Sequence, residues 1–130
     1  MFKSPKNMPS NSGKINTLIG STTNVTGNIN ATETIRVDGR YIGDIVTEAD
    51  VIIGETAYIK GNITAVNVSL SGGLDGNVKC TGILEILIPG KLIGDVEVGG
   101  LSIEKGAIFN GKCNILYEQV KQLVAADKVE

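Results

Sequence analysis

The sequence contains no histidine and no tryptophan, and only five of its 130 residues are aromatic. Histidine is the commonest general base and metal ligand, so its absence removes the usual catalytic triads and most zinc sites. The sequence also lacks a CxxC pair and a GxxxxGK[ST] phosphate-binding loop. It therefore predicts no enzyme, no cofactor and no metal site. Globular cores draw much of their buried area from aromatic rings, so the scarcity of aromatic residues here favours a core of small aliphatic side chains.

Cysteine, long apolar runs and strong charge are scarce as well. Two cysteines, Cys80 and Cys113, do not make a disulfide framework and indicate a reducing compartment. No apolar run reaches the ~18 residues of a membrane-spanning helix, and the first residues lack the apolar stretch of a secretory signal. A net charge of −2 argues against nucleic acid, which binds basic faces. We expect a cytoplasmic protein that binds neither nucleic acid nor nucleotide.

Glycine, by contrast, is abundant and periodic. There are 17 glycines, and a phrase of the form apolar, any, Gly, polar, apolar occurs six times at steps of 15 to 18 residues. Self-similarity at such a short period indicates a solenoid. We predict that the glycine of each phrase forms a turn of the repeat. These glycines are Gly27, Gly43, Gly61, Gly76, Gly94 and Gly111.

The residues around each glycine alternate in polarity. Positions two before, two after and four after the glycine are apolar or small, and the residues between them are mostly polar, which is typical of a strand with one buried face. About 17 residues suit a triangular coil whose sides pair with the next coil as parallel strands ~4.8 Å apart. We predict an all-β, single-domain parallel β-helix of about six triangular coils over residues 15–116.

Two details follow from this alignment. The residue after each glycine forms a corner ladder that suits a turn better than a ligand site: Asn28, Asp44, Asn62, Asn77, Asp95 and Lys112. Cys80 and Cys113 fall on inward positions two coils apart, ~10 Å by strand spacing, which is beyond disulfide reach. We expect both cysteines to be buried.

The two flanks differ from the repeat. Residues 1–14 hold three lysines and no acid, and we expect a flexible basic arm. Residues 117–130 continue an apolar spacing of one helical face that begins at Leu116, so we expect a short helix, which would cap the last coil, or a disordered tail.

A β-helix exposes strand edges at both ends, and such edges pair with another chain unless proline, charge or a helix covers them. The first coil shows none of these devices, so end-to-end polymerisation is predicted. Pairing of like ends and head-to-tail pairing both remain open. The apolar residues expected at the joints are Leu18, Ile19 and Val25 at one end and Phe109 and Ile115 at the other.

The arm suggests a second interaction, with an anionic membrane. Met1 and Phe2 would insert at the lipid interface while Lys3 and Lys6 meet the headgroups, at ~1 kcal/mol per lysine. Binding by one arm would be weak and would gain from the avidity of a filament.

The six coils, the opening Thr17–Gly20 and above all the closing stretch Leu101–Gly111 (LSIEKGAIFNG) resemble the bactofilins. The resemblance covers roughly residues 15–115. It implies a right-handed β-helix that forms filaments without nucleotide. It also implies a bacterial cytoskeletal role in cell shape, division, motility or the organisation of envelope enzymes, with cell-envelope or division proteins as partners. Met1-Phe2-Lys3 resembles the family's membrane-targeting start. The helical spacing after Leu116 departs from the family's proline-rich tail.

Two alternatives compete with this interpretation. A left-handed β-helix acyltransferase trimer has a similar coil length, but such enzymes usually need a histidine base and hold their register strictly. A non-polymerising β-solenoid adaptor, or an ice-binding solenoid, would present a flat, repetitive threonine face. The threonines here cluster in the first coil, at Thr22, Thr23, Thr26, Thr32 and Thr34.

Overall fold

Sixteen short strands make up residues 15–116, the part of the chain that the computed structural model describes. They form six coils, and each coil contributes a strand to each of three flat faces. Face 1 contains β1 (Ile15–Ile19), β4 (Thr34–Val37), β7 (Asp50–Ile53), β10 (Asn67–Leu70) and the later parts of β12 (Val78–Ile86) and β14 (Val96–Ile103). Face 2 contains β2 (Asn24–Thr26), β5 (Arg40–Ile42), β8 (Tyr58–Lys60), β11 (Gly73–Asp75), β13 (Lys91–Ile93) and β15 (Ile108–Asn110). Face 3 contains β3 (Ile29–Ala31), β6 (Ile45–Thr47), β9 (Ile63–Ala65), the earlier parts of β12 and β14, and β16 (Cys113–Ile115).

Every pairing between these strands is parallel and joins one coil to the next. Face 2 is a separate six-stranded sheet, whereas faces 1 and 3 join into a ten-stranded sheet because β12 and β14 continue around a corner. The prediction of a parallel β-solenoid with about six coils is thus confirmed.

The core consists of inward columns of aliphatic side chains. Each column stacks equivalent residues of successive coils, as in Ile35, Val51, Val68 and Leu84 on face 1. These residues are almost completely buried. β-branched and leucine side chains suit this stack because each one packs between its counterparts above and below.

The corner between faces 1 and 2 explains why the glycine spacing drifts. Four coils turn through four residues, closed by a backbone hydrogen bond such as that from the Ala57 N–H to the Gly54 carbonyl, 3.1 Å. The second and fourth coils turn through only two residues, at Asp38–Gly39 and Ser71–Gly72. These two coils are the ones that give the shorter glycine steps of 16 and 15 residues.

One expectation about the core is wrong. Cys80 is buried, but Cys113 is exposed although it lies on an inward column opposite Val96. The reason is its place in the last coil, beyond which no further coil of the described chain stacks. The predicted basic arm and C-terminal tail, residues 1–14 and 117–130, lie outside the described residues.

Candidate polymerisation surfaces at the ends of the rod

The two ends of the rod expose the same inward columns that the middle coils bury. Ile86 of the fifth coil is 0% exposed, whereas Ile103, which pairs with it from the sixth coil, is 42% exposed. The side chain does not change its orientation between the two coils. What changes is that nothing in residues 15–116 stacks on the second one.

The C-terminal end surface consists of the inward residues of the last coil: Leu101, Ile103, Ala107, Phe109, Cys113 and Ile115. Phe109 stacks on Leu92, and Ile115 stacks on Val98. Both are half-buried, so each side chain keeps a part of its apolar surface accessible. The two residues predicted for this end therefore lie together on one surface.

The N-terminal end surface consists of the inward residues of the first coil: Thr17, Ile19, Val25, Ile29 and Ala31. Val25 is half-buried, whereas Ile19 is only 6% exposed. Leu18 lies elsewhere. It pairs with Arg36 on the outer side of face 1 and is 62% exposed, at the rim of the end surface.

Sequence reasoning missed most other members of the end surfaces, among them Ile29, Ala31 and Ile103. The alternation that identified Val25 and Phe109 would have found them, because they belong to equivalent inward columns. The signal was present in the first and last coils.

Backbone groups complete both surfaces. In the described part of the chain, the strands of the first coil pair on one side only, with the second coil, and β15 and β16 likewise pair only with the coil before them. An open parallel edge presents N–H and C=O groups that another strand can bind.

The repeat glycines lie at the corner between faces 2 and 3 and stack closely. All six have positive φ, from +136° at Gly27 to +154° at Gly111, a region that favours glycine. A Cβ atom on Gly43, Gly61, Gly76 or Gly94 would lie 1.9 Å from the carbonyl oxygen of the preceding glycine. At Gly27, in the first coil, a Cβ atom would meet nothing within 4 Å.

The residue after each glycine forms a ladder of hydrogen bonds along the rod. The side-chain Oδ1 of one coil accepts the backbone N–H of the equivalent residue in the next coil, as from Asp44 to Asn28 at 3.0 Å and from Lys112 to Asp95 at 3.2 Å. The intermediate rungs join Asp44, Asn62, Asn77 and Asp95. The ladder ends at Lys112, because an ammonium group donates hydrogen bonds and accepts none.

A buried tyrosine ties the first two coils together at the same corner. The Tyr41 hydroxyl lies within hydrogen-bonding distance of the Gly27 carbonyl and 3.1 Å from the Asp44 carbonyl. Burial, and secondarily the nearby Asp44 carboxylate, raise the pKa of Tyr41, so it remains a neutral donor at physiological pH.

Nothing in the described coils resembles a catalytic centre. Residues 15–116 contain no group of three histidine, cysteine or acidic side chains arranged to hold a metal ion. Within the same range, no helix is long and apolar enough to cross a membrane. The grooves on faces 1 and 3 are shallow and open to solvent.

Comparison with known proteins agrees with this geometry. Residues 17–114 match the family described as "Bactofilin: Polymer-forming cytoskeletal". The chain is 26% identical to bactofilin BacP of Myxococcus xanthus (strain DK1622) over 110 residues, 85% of this chain and 46% of BacP. It is 25% identical to bactofilin BacO of the same organism over 100 residues, 77% of this chain and 79% of BacO. The chain therefore spans about half the length of one curated relative and about four fifths of the other.

The fold is similar to that of a Thermus thermophilus bactofilin in a cryo-EM reconstruction of double helical filaments. The TM-score is 0.70 at 24% sequence identity, over 77% of this chain and 99% of the other. Bactofilins are structural proteins of the cytoskeleton and not enzymes, which removes the acyltransferase alternative. A match over three quarters of the sequence shows the family, and the chain belongs to the bactofilins, polymer-forming cytoskeletal proteins.

Proposed function

We propose that this chain polymerises end to end, without nucleotide, into filaments that serve as a cytoskeletal scaffold. The observation that carries the proposal is the exposure of inward apolar residues at both ends, seen most clearly at Ile103. The double helical filaments of the Thermus thermophilus protein, which has the same fold, support it. The proposed joint residues are Ile19 and Val25 at one end and Phe109 and Ile115 at the other, with Leu18 at the rim.

The corner ladder favours the pairing of like ends. In a head-to-tail joint, the N–H of Asn28 would face the side chain of Lys112 in the position where every other rung has an acceptor oxygen. Lysine offers only donors, so this rung would remain unsatisfied and would bring a cation against an N–H group. A joint between two C-terminal ends avoids this mismatch.

Electron microscopy of two neighbouring substitutions tests the polymer. Phe109→Asp introduces a charge at the C-terminal end surface, and we expect short or absent filaments because an unpaired ion would be buried in the joint. Ile108→Asp places the same charge one residue earlier on the outer side of face 2, and filaments should persist. Equal filament lengths in both variants would place the joint elsewhere. A monodisperse native protein would favour the non-polymerising adaptor.

Cys113 provides a native probe of filament polarity. It lies on the C-terminal end surface, whereas Cys80 is buried in the core. If C-terminal ends meet, a short bismaleimide crosslinker should therefore join the subunits of a filament into covalent dimers. Cys113→Ser should abolish these dimers. In a head-to-tail filament the same cysteines are one rod apart, ~29 Å for six coils. An absence of dimers along intact filaments would contradict like-end pairing.

We also propose that the filament is held at the inner face of the cytoplasmic membrane by its N-terminal arm, through Met1, Phe2, Lys3 and Lys6. The support is compositional: two large apolar residues precede lysines in a stretch without acids. There the scaffold would organise cell shape, division, motility or envelope enzymes, with envelope or division proteins as partners. Phe2→Ser combined with Lys3→Gln should reduce co-sedimentation with anionic vesicles while filaments persist. Undiminished binding would contradict a role for the arm.

A further inference from the structure

Face 2 is the basic side of an otherwise acidic rod. Its strands carry Arg40, Lys60 and Lys91 but only one acid, Asp75. The described chain holds seven lysine and arginine residues and eleven acids in total. The remainder of the rod therefore has four cations against ten acids, and the sign of the charge reverses from face 2 to its surroundings.

The charge on face 2 is available to an external partner. The ion pairs within the described residues are Arg36–Asp38 at 2.9 Å and Lys79–Glu97 at 3.9 Å, and neither lies on this face. The Arg40 guanidinium lies 5.8 Å from the centre of the Tyr58 ring. Such a contact leaves the guanidinium N–H groups free to bind an anion.

Exposed apolar side chains alternate with these cations in two outward columns. One column runs Arg40, Tyr58, Gly73, Lys91, Ile108, and the other runs Ile42, Lys60, Asp75, Ile93, Asn110. Ile42, Tyr58, Ile93 and Ile108 are all exposed. The Tyr58 ring leans over Gly73, where an added Cβ would lie 2.9 Å from its Cδ1, and it fills the gap that glycine leaves. The face is consequently flat.

The acids at the corners beside face 2 are mostly engaged. Asp38 is paired with Arg36. Asp95 accepts the N–H of Lys112, and Asp44 accepts the equivalent N–H of the third coil, so both carboxylates point along the rod toward the next coil. They do not project over the face.

We propose that face 2 is the side on which the rod lies against an anionic lipid surface. A flat face with cations and isoleucine tips suits a bilayer, where the cations meet headgroup phosphates and the tips enter the interface. Pairing with face 2 of a second copy would bring cations together and is unfavourable. This inference rests on the proposed function only in assuming an anionic membrane. The N-terminal arm and face 2 would be separate contacts with that membrane.

The test is co-sedimentation of the full chain with vesicles of phosphatidylcholine alone or mixed with phosphatidylglycerol, at low and high salt. One cation near such a surface contributes about five-fold in affinity, so Lys60→Glu should weaken binding by about ten-fold or more, since reversal adds repulsion. Lys79→Glu makes the same charge change on face 3 and should remain within about two-fold of the native chain. High salt should weaken native binding through screening.

A second pair of variants tests the apolar contribution. Ile93 on face 2 and Val46 on face 3 are 41% and 42% exposed, so both substitutions remove a similar exposed side chain. Ile93→Ser should weaken vesicle binding, and Val46→Ser should not. Electron microscopy of each variant verifies that filaments still form.

The outcomes separate this inference from the proposed function. A loss in the Lys60 and Ile93 variants, with both controls unchanged, supports face 2. Equal losses in Lys60→Glu and Lys79→Glu would mean that net charge alone matters and would overturn the proposal. If the arm variant abolishes binding while the face variants bind normally, face 2 is refuted and the arm stands. If the native chain ignores anionic vesicles, both membrane contacts fail, and face 2 becomes a surface for an acidic protein.

Discussion

Replacing Gly61 by alanine separates two reasons for a glycine at the corner, because Gly27 provides a matched control. Both residues have positive φ, +151° at Gly61 and +136° at Gly27, so alanine at either position is strained by about 1–3 kcal/mol. Only Gly61 has a preceding coil with which an added Cβ atom would clash. Its Cβ would lie 1.9 Å from the Gly43 oxygen, whereas a Cβ on Gly27 meets nothing within 4 Å.

The steric contribution can be estimated from the bonds beside Gly61. A carbon and an oxygen in ordinary contact are separated by about 3.3 Å or more, so the coils must part by over about 1 Å. This movement stretches three hydrogen bonds: the Gly43 N–H to the Lys60 carbonyl, the Ile45 N–H to the Asn62 carbonyl, and the Asn62 N–H to Asp44. At about 1 kcal/mol each, Gly61→Ala should lose about 2–4 kcal/mol more than Gly27→Ala.

Urea unfolding followed by far-ultraviolet circular dichroism measures this difference. Both substitutions should be made in the Phe109→Asp background, so that assembly does not add to the apparent stability. A domain of this size has about 5–15 kcal/mol in total, so Gly61→Ala is expected to unfold at much lower urea or not to fold. Equal midpoints for the two variants would refute the steric argument and leave φ as the only reason for the glycines.

Three further predictions test other parts of the fold. The Thr34 hydroxyl is buried without a hydrogen-bond partner in the described chain, so Thr34→Val should stabilise the fold by about 1 kcal/mol. Thr47 makes two hydrogen bonds with the backbone, so Thr47→Val should destabilise the fold by about 1–3 kcal/mol. Thermal unfolding compares the two variants. Asn62→Ala removes one rung of the corner ladder and should lower the free energy of unfolding by about 1 kcal/mol, and an unchanged urea midpoint would make the ladder energetically neutral. Burial, and secondarily Cys113, raise the pKa of Cys80 from 9.0 to about 11, so the folded chain should lose stability as the pH rises from about 9 toward 11. At neutral pH, mass spectrometry after alkylation should find the exposed Cys113 modified before the buried Cys80.

The sequence contained enough to predict the architecture, because one face of each strand is buried and alternation reports that directly. The alternation of polar and apolar residues predicts that Phe109 and Val25 lie on inward columns, and the structure has them there. Alternation says nothing about what covers a column, so burial of Cys113 was predicted wrongly at the open end. The sequence predicts Leu18 at a joint as an apolar residue, and its pairing with Arg36 places it on the outer side of face 1, at the rim of the end surface.

Other features depend on geometry that no single residue carries. The sequence predicts the corner ladder as a stack of polar residues, but it does not show that each Oδ1 accepts the backbone N–H of the next coil, which depends on how the coils stack. The basic character of face 2 also escaped sequence reasoning, since Arg40, Lys60 and Lys91 are far apart in the chain and meet only through strand pairing.

Parallel stacking makes each coil an interchangeable layer. Each layer presents parallel strands and inward apolar side chains to its neighbour, so the number of layers is not fixed by the chemistry of any one of them. Duplication or loss of a whole coil of 15 to 18 residues would change the rod by one strand spacing, ~4.8 Å, and leave both end surfaces as they are. The number of coils therefore sets the length of the rod, and with it the spacing along a filament between equivalent groups of successive subunits.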